Sequence, residues 1–231
     1  MQYCKFRKKT TKGQGLNITG AKTKKVTVQY CIFEDFSFKE SNGGEPLRLG
    51  NSQFSGCIFE CIVKNNIFRN LKSDPECISI KSCNNIIEDN FFINNESNVC
   101  VRHGGLTNIR HNYFKGTNGV RIHGYGNYVG YNCFEDNSGT DEDLSPITVR
   151  WGKADKDPNW DDYNKPSGKE GSSHAEYAQA IDTVIEGNEF KNCKKTVVPL
   201  KKGDVTLSPK NTKDNNNKAV AKFIFETQDQ L

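Results

Sequence analysis

The 231 residues are 34% hydrophobic and 26% charged, with a mean hydropathy of −0.74, which excludes a thick, round hydrophobic core. Fourteen Phe and eight Tyr exclude a disordered chain, since such chains are poor in aromatics, and no apolar run approaches the ~20 residues that a membrane-spanning helix needs. The net charge of +4 is unevenly spread: eight bases precede the first acid, Glu34, which suits either a polyanionic partner or a solvated N-terminal face.

Residues 1–25 read as a basic N-terminal segment without the apolar run of a secretory leader. Synthesis in a reducing compartment, or prior loss of a leader, is therefore expected. The nine cysteines include no C-x-x-C pair, which excludes zinc-ribbon spacing. Cys31, Cys57, Cys100 and Cys133 alternate with apolar residues, as buried thiols do. A strand is predicted at 26–28, followed by a recurring motif of apolar residue, polar residue, Asn, any residue, Phe. It occurs at Asn66-Ile67-Phe68, Asn90-Phe91-Phe92, Asn112-Tyr113-Phe114, Asn132-Cys133-Phe134 and Asn188-Glu189-Phe190, with Cys31-Ile32-Phe33 as a variant. From Phe68 the steps to Phe92, Phe114 and Phe134 are 24, 22 and 20 residues. Helical-hairpin repeats need roughly 33 residues, and the leucine-rich pattern is absent. Between the motifs lie two-residue alternations, at Ile78-Ser79-Ile80, Val99-Cys100-Val101-Arg102, Val120-Arg121-Ile122 and Ile147-Thr148-Val149.

These features predict an all-β chain, a single right-handed parallel β-helix (solenoid) spanning 1–231. Its coils stack about 4.8 Å apart. The Phe residues stack inside, and each Asn sits at a turn, tolerating left-handed geometry while its amide bonds the next coil. After Phe134 the period breaks. Asp141-Glu142-Asp143 precede a coil at 146–151, and residues 153–178 are predicted to protrude as a loop, either a carrier of binding residues or a plain insertion. Trp151, Trp160 and His174 lie there, and further strands are predicted at 196–200 and 219–226.

In such a solenoid, residues one coil apart share a column. Lys81 and Arg102 are 21 residues apart, and His123 lies 21 further on, beside Arg121. They are expected as stacked neighbours in a column of bases with no intervening acid. That column is costly unless an anion binds there; the alternative is a solvated basic strip.

The segment from Asn42 to Gly124 resembles the family-six polysaccharide lyases, which include alginate lyases and chondroitinase B. The resemblance is carried, in order and spacing, by Asn42-Gly-Gly-Glu45-Pro-Leu-Arg48-Leu-Gly50, Asn66-Ile-Phe68, Glu76-Cys-Ile-Ser-Ile-Lys81-Ser82, Val101-Arg102-His103-Gly104, Asn112-Tyr-Phe114 and Gly119-Val-Arg121-Ile-His123-Gly124. It implies Lys81 as catalytic base and Arg102 as acid or charge stabiliser, with Asn42, Asp74 and Glu76 as ligands of Ca²⁺. It also implies substrate contacts by His103 and Arg121. Arg48 and His123 join these on chemistry and column position; Glu45 and Ser52 match the alginate-acting members, as does Arg121. The implied activity is Ca-assisted β-elimination in a uronate polymer, alginate first. Asp74 stands where the family usually carries Glu, Pro75 separates the two acids, and the family's N-terminal coils are reduced here to one or two. Two alternatives stay open: a non-catalytic β-helix that binds acidic polysaccharide, and a uronate C5-epimerase. A nucleic-acid partner is not expected, because the basic segment has only Phe6 interleaved among its charges.

Overall fold

Short alternations build short strands, of three to six residues, and the chain uses them three to a coil. The computed structural model describes residues 1–38, 42–139, 145–150, 177, 180 and 182–199. Among these are twenty strands, numbered along the chain, in three parallel sheets. Sheet 1 comprises β1 (Lys5–Arg7), β4 (Ile32–Glu34), β7 (Ile67–Arg69), β10 (Phe91–Ile93), β13 (Tyr113–Lys115), β16 (Cys133–Glu135) and β19 (Glu189–Lys191). Sheet 2 comprises β2 (Leu16–Ile18), β5 (Leu47–Gly50), β8 (Glu76–Lys81), β11 (Asn98–His103), β14 (Val120–Ile122), β17 (Ile147–Val149) and β20 (Val197–Pro199). Sheet 3 comprises β3 (Thr27–Gln29), β6 (Ile62–Lys64), β9 (Ile86–Glu88), β12 (Asn108–Arg110), β15 (Tyr128–Gly130) and β18 (Val184–Glu186). Each strand pairs with the one three places on, which is the wiring of a parallel β-helix. The predicted 26–28, 146–151 and 196–200 strands correspond to β3, β17 and β20. The predicted strand at 219–226 lies outside the described residues, as do Asp141, Glu142, Asp143, Trp151, Trp160, His174 and all of the 153–178 loop except Tyr177. Among the described residues no helix is long and apolar enough to cross a membrane.

The core is a set of columns. Leu47, Ile78, Val99, Val120 and Ile147 form one, and Leu49, Ile80, Val101, Ile122 and Val149 another, all facing inward from sheet 2. Sheet 1 contributes the Phe column. Phe6, Phe33, Phe68, Phe92, Phe114, Phe134 and Phe190 stack face to face with ring centroids 4.6–5.3 Å apart. Phe6 extends the stack into the basic N-terminal segment, residues 1–25, which holds β1 and β2. Each stacked pair contributes about 0.5–1.5 kcal/mol beyond its burial.

The Asn column behaves as a hydrogen-bonded ladder. The side-chain oxygen of each Asn accepts from the backbone N–H one coil earlier: Asn66 from Cys31 at 2.9 Å, Asn90 from Asn66 at 3.0 Å, Asn112 from Asn90 at 3.0 Å, Asn132 from Asn112 at 2.9 Å and Asn188 from Asn132 at 3.0 Å. All five are buried. The expected left-handed geometry belongs instead to the residue before each rung: Tyr30, Asn65, Asp89, His111, Tyr131 and Gly187 have φ between 53° and 63°. That residue turns the corner, leaving the Asn backbone free to enter the strand. No disulfide links the nine cysteines. Cys31, Cys61, Cys77, Cys83, Cys100 and Cys133 are buried, and burial raises each thiol's pKa above its ordinary value.

Candidate active site

The pleat sends every second residue of sheet 2 outward. In register these are Asn17, Arg48, Ser79, Cys100, Arg121 and Thr148. At the strand ends, Gly50, Lys81 and His103 are partners. The 21-residue spacing predicted Lys81 and Arg102 as direct partners in one column, and they are not: Lys81 pairs with His103. The register of β11 shifts between Val101 and His103, so Arg102 is an extra residue of the bulge type and His103 takes its place opposite Lys81. A second shift makes Cys77 the extra residue in β8. Cys77 and Ile78 then both enter the core. Backbone crowding fixes the turn that follows: a Cβ on Gly50 (φ +85°) would lie 2.6 Å from the Lys81 carbonyl oxygen.

Lys81 and Arg102 remain electrostatic neighbours. Burial lowers the Lys81 pKa, and the Arg102 charge lowers it further, against the opposing pull of Glu45 and Glu76. The expectation of a column of bases without acids is overturned. Glu45 Oε1 lies 3.7 Å from Lys81 Nζ, with only 1% and 7% of those side chains exposed. Glu76 Oε1 lies 3.6 Å from Arg102 and also pairs with Arg121. Gln14 Nε2 donates to Glu45 Oε2 at 3.0 Å. The acids come from one or two coils earlier, 26 to 45 residues away in the chain.

The remaining predicted residues gather around this pair. Arg121 Nε donates to Cys100 Sγ at 3.1 Å. Arg48 Nε donates to Asn17 Oδ1 at 3.1 Å, at the N-terminal end of the column. His103 Nε2 is 3.4 Å from Ser52 Oγ, and His103 and His123 are both buried. Tyr177 was not foreseen. Its ring centroid is 5.0 Å from Arg102 Cζ, 6.0 Å from Arg121 Cζ, 5.8 Å from the His103 ring and 4.6 Å from the His123 ring. It lies beyond the break in the repeat, where column spacing gives a residue no address.

The residues implied for calcium fit a hard cation in donor type. Asp74 and Glu76 offer carboxylate oxygens, which Ca²⁺ prefers. Asp74 is pushed up to about 6, by burial first and by repulsion from Glu45 and Glu76 as well. Its oxygens accept from the N–H groups of Gly44 at 3.1 Å and Glu76 at 3.0 Å. Glu76 Oε2 is buried, and among the described residues no donor reaches it. No three His, Cys, Asp or Glu side chains among the described residues gather at metal-holding spacing. An ion here thus draws on an amide, and Asn42, the implied one, is exposed.

The surface therefore presents a buried amine, two guanidiniums, two imidazoles and an aromatic ring over shared carboxylates: groups able to bind an anionic sugar and move a proton. A search of curated proteins finds no match. Among solved structures, a mannuronic acid specific polysaccharide family 6 lyase from human gut microbiota is 23% identical, with a TM-score of 0.62 over 88% of this chain and 45% of that one. A family-six polysaccharide lyase from Pseudopedobacter saltans is 22% identical, with a TM-score of 0.57 over 86% and 52% of the two chains. Both share the fold, and the chain spans about half their length. A family model described as chondroitinase B matches residues 1–213, and the chain belongs to that family, polysaccharide lyase family six.

Proposed function

We propose that the protein cleaves a uronate polymer, alginate first, by β-elimination. The observation that supports it most is the buried Lys81 beside Arg102, its pKa held below the ordinary lysine value by burial and by that neighbouring charge. A neutral Lys81 takes the C5 proton; the electron pair forms the C4–C5 double bond; and the C4–O4 bond breaks, with O4 stabilised or protonated at Arg102. Arg121 and Arg48 pair with carboxylates of neighbouring sugars, and His103, His123 and Glu45 line the same face. Asn42, Asp74 and Glu76 would hold Ca²⁺, which neutralises the uronate carboxylate and so makes the C5 proton more acidic.

Alginate enriched in mannuronate or guluronate, chondroitin and dermatan sulfates, and glucuronan, each with and without Ca²⁺, form the test set. Unsaturated ends absorbing in the ultraviolet are expected with alginate. Lys81→Ala is expected to lower their formation about 10³-fold, a typical general-base contribution, with the circular dichroism unchanged. A Lys81→Ala protein as active as the wild type would remove Lys81 from the mechanism. EDTA is expected to lower the rate, and indifference to it would remove the metal.

A second reading, a β-helix that binds the polymer without cutting it, is favoured by the Lys81–Glu45 ion pair at 3.7 Å, which stabilises the protonated amine. Binding without product selects it. Inversion at C5 without chain scission selects an epimerase.

A further inference from the structure

Arg102 and Arg121 present a packing problem. Both guanidiniums turn to the same oxygen of Glu76, so one anion is shared between two cations beside a third, Lys81. Arg102 Nε is buried and meets no acceptor among the described residues. The two long side chains share that one carboxylate, Arg121 also donating to Cys100 Sγ, and their mutual repulsion favours swinging one of them out to solvent. The Tyr177 ring lies against both. The negative face of an aromatic ring attracts a guanidinium without carrying net charge. This matters at a site for polyanions: a further carboxylate would hold the arginines equally well but would cancel the charge that an anionic sugar needs.

We propose that Tyr177 is a positioning residue of this site: its ring holds the guanidiniums of Arg102 and Arg121 in place between Glu76 and the bound sugar, and packs against the rings of His103 and His123. The proposal rests on the lyase reading for its kinetic consequence but not for its structural one. The ring is the working part, so Tyr177→Phe is expected to keep kcat on polymannuronate within about twofold of the wild type. Tyr177→Ala, and Tyr177→Leu as a second variant should the first fold poorly, are expected to lose about tenfold in kcat. That falls within the range of partly desolvated cation–π contacts. KM is expected to change less, because Arg102 acts chiefly where charge develops.

A second measurement needs no turnover. In full-length protein labelled with ¹⁵N-arginine, the Nε–H resonances of Arg102 and Arg121, assigned with the Arg102→Lys and Arg121→Lys variants, are expected to move in Tyr177→Ala and to hold in Tyr177→Phe. Resonances that do not move in Tyr177→Ala overturn the proposal, whatever the activity. So does a Tyr177→Ala enzyme with wild-type kcat, or a Tyr177→Phe enzyme as weak as Tyr177→Ala, which would assign the work to the hydroxyl. If the resonances move as expected but the wild type cuts no polyuronate, the positioning role stands and the lyase reading falls.

Discussion

Two columns of the same solenoid obey opposite rules. Inside sheet 1 the same residue recurs coil after coil, Phe upon Phe, with Asn upon Asn at the neighbouring corner. On the outer face of sheet 2 no residue type follows itself: Asn17, Arg48, Ser79, Cys100, Arg121, Thr148. Repetition suits an interior where each coil must offer its neighbour the same surface, because identical flat rings and amides satisfy one another at one spacing. A face that must recognise an irregular partner gains nothing from repetition. There, single residues are expected to govern activity while leaving stability almost untouched.

The contrast can be broken first in the core. Phe92 is fully buried between Phe68 and Phe114, and Phe92→Ala is expected to cost about 3–5 kcal/mol of unfolding free energy by chemical denaturation. A loss of well under 1 kcal/mol would show that the stack is not cooperative. Next, Arg102→Lys keeps the charge but loses the planar fork. It is expected to lower kcat/KM about a hundredfold while thermal unfolding stays put; parallel losses of activity and stability would blur the division between the columns. Asn90→Ala removes the acceptor for the Asn66 N–H and the donor to the Val63 carbonyl. A cost of about 1–3 kcal/mol follows from leaving those groups buried and unpaired, and activity is expected to persist at temperatures where the variant remains folded. The smallest effect sharpens the outer face. Glu45 raises the Lys81 pKa, so Glu45→Gln lowers it further. Because the base works when neutral, the rise of kcat/KM with pH is expected to shift to lower pH; a shift to higher pH would show that Lys81 does not govern that limb.

Much of this was legible because repetition writes itself into spacing. The steps between Phe68, Phe92, Phe114 and Phe134 reveal both the solenoid and its inner column. Phe6 escaped because the bases around it dominate the reading of its segment. Spacing also brought Lys81 and Arg102 together, but a period counts residues and cannot register an extra one. The bulge at Arg102 was therefore invisible. So were the partners Glu45 and Glu76: which outward acid reaches which base depends on side-chain direction across coils, and no spacing encodes that. Tyr177 lies in the long interval between Phe134 and Phe190, where the repeat period gives it no column address.

That extra residue carries a consequence for how the chain tolerates change. A strand alternates sides, so two consecutive residues ordinarily cannot serve the same surface. With one surplus position, Arg102 and His103 both reach the Tyr177 ring. Parity, rather than any single bond, thus keeps the pair together. Corner insertions lengthen a coil harmlessly, as the unequal repeat lengths attest, whereas losing the one codon for Arg102 would leave Val101 and His103 in regular register opposite Ile80 and Lys81 and remove the guanidinium alone.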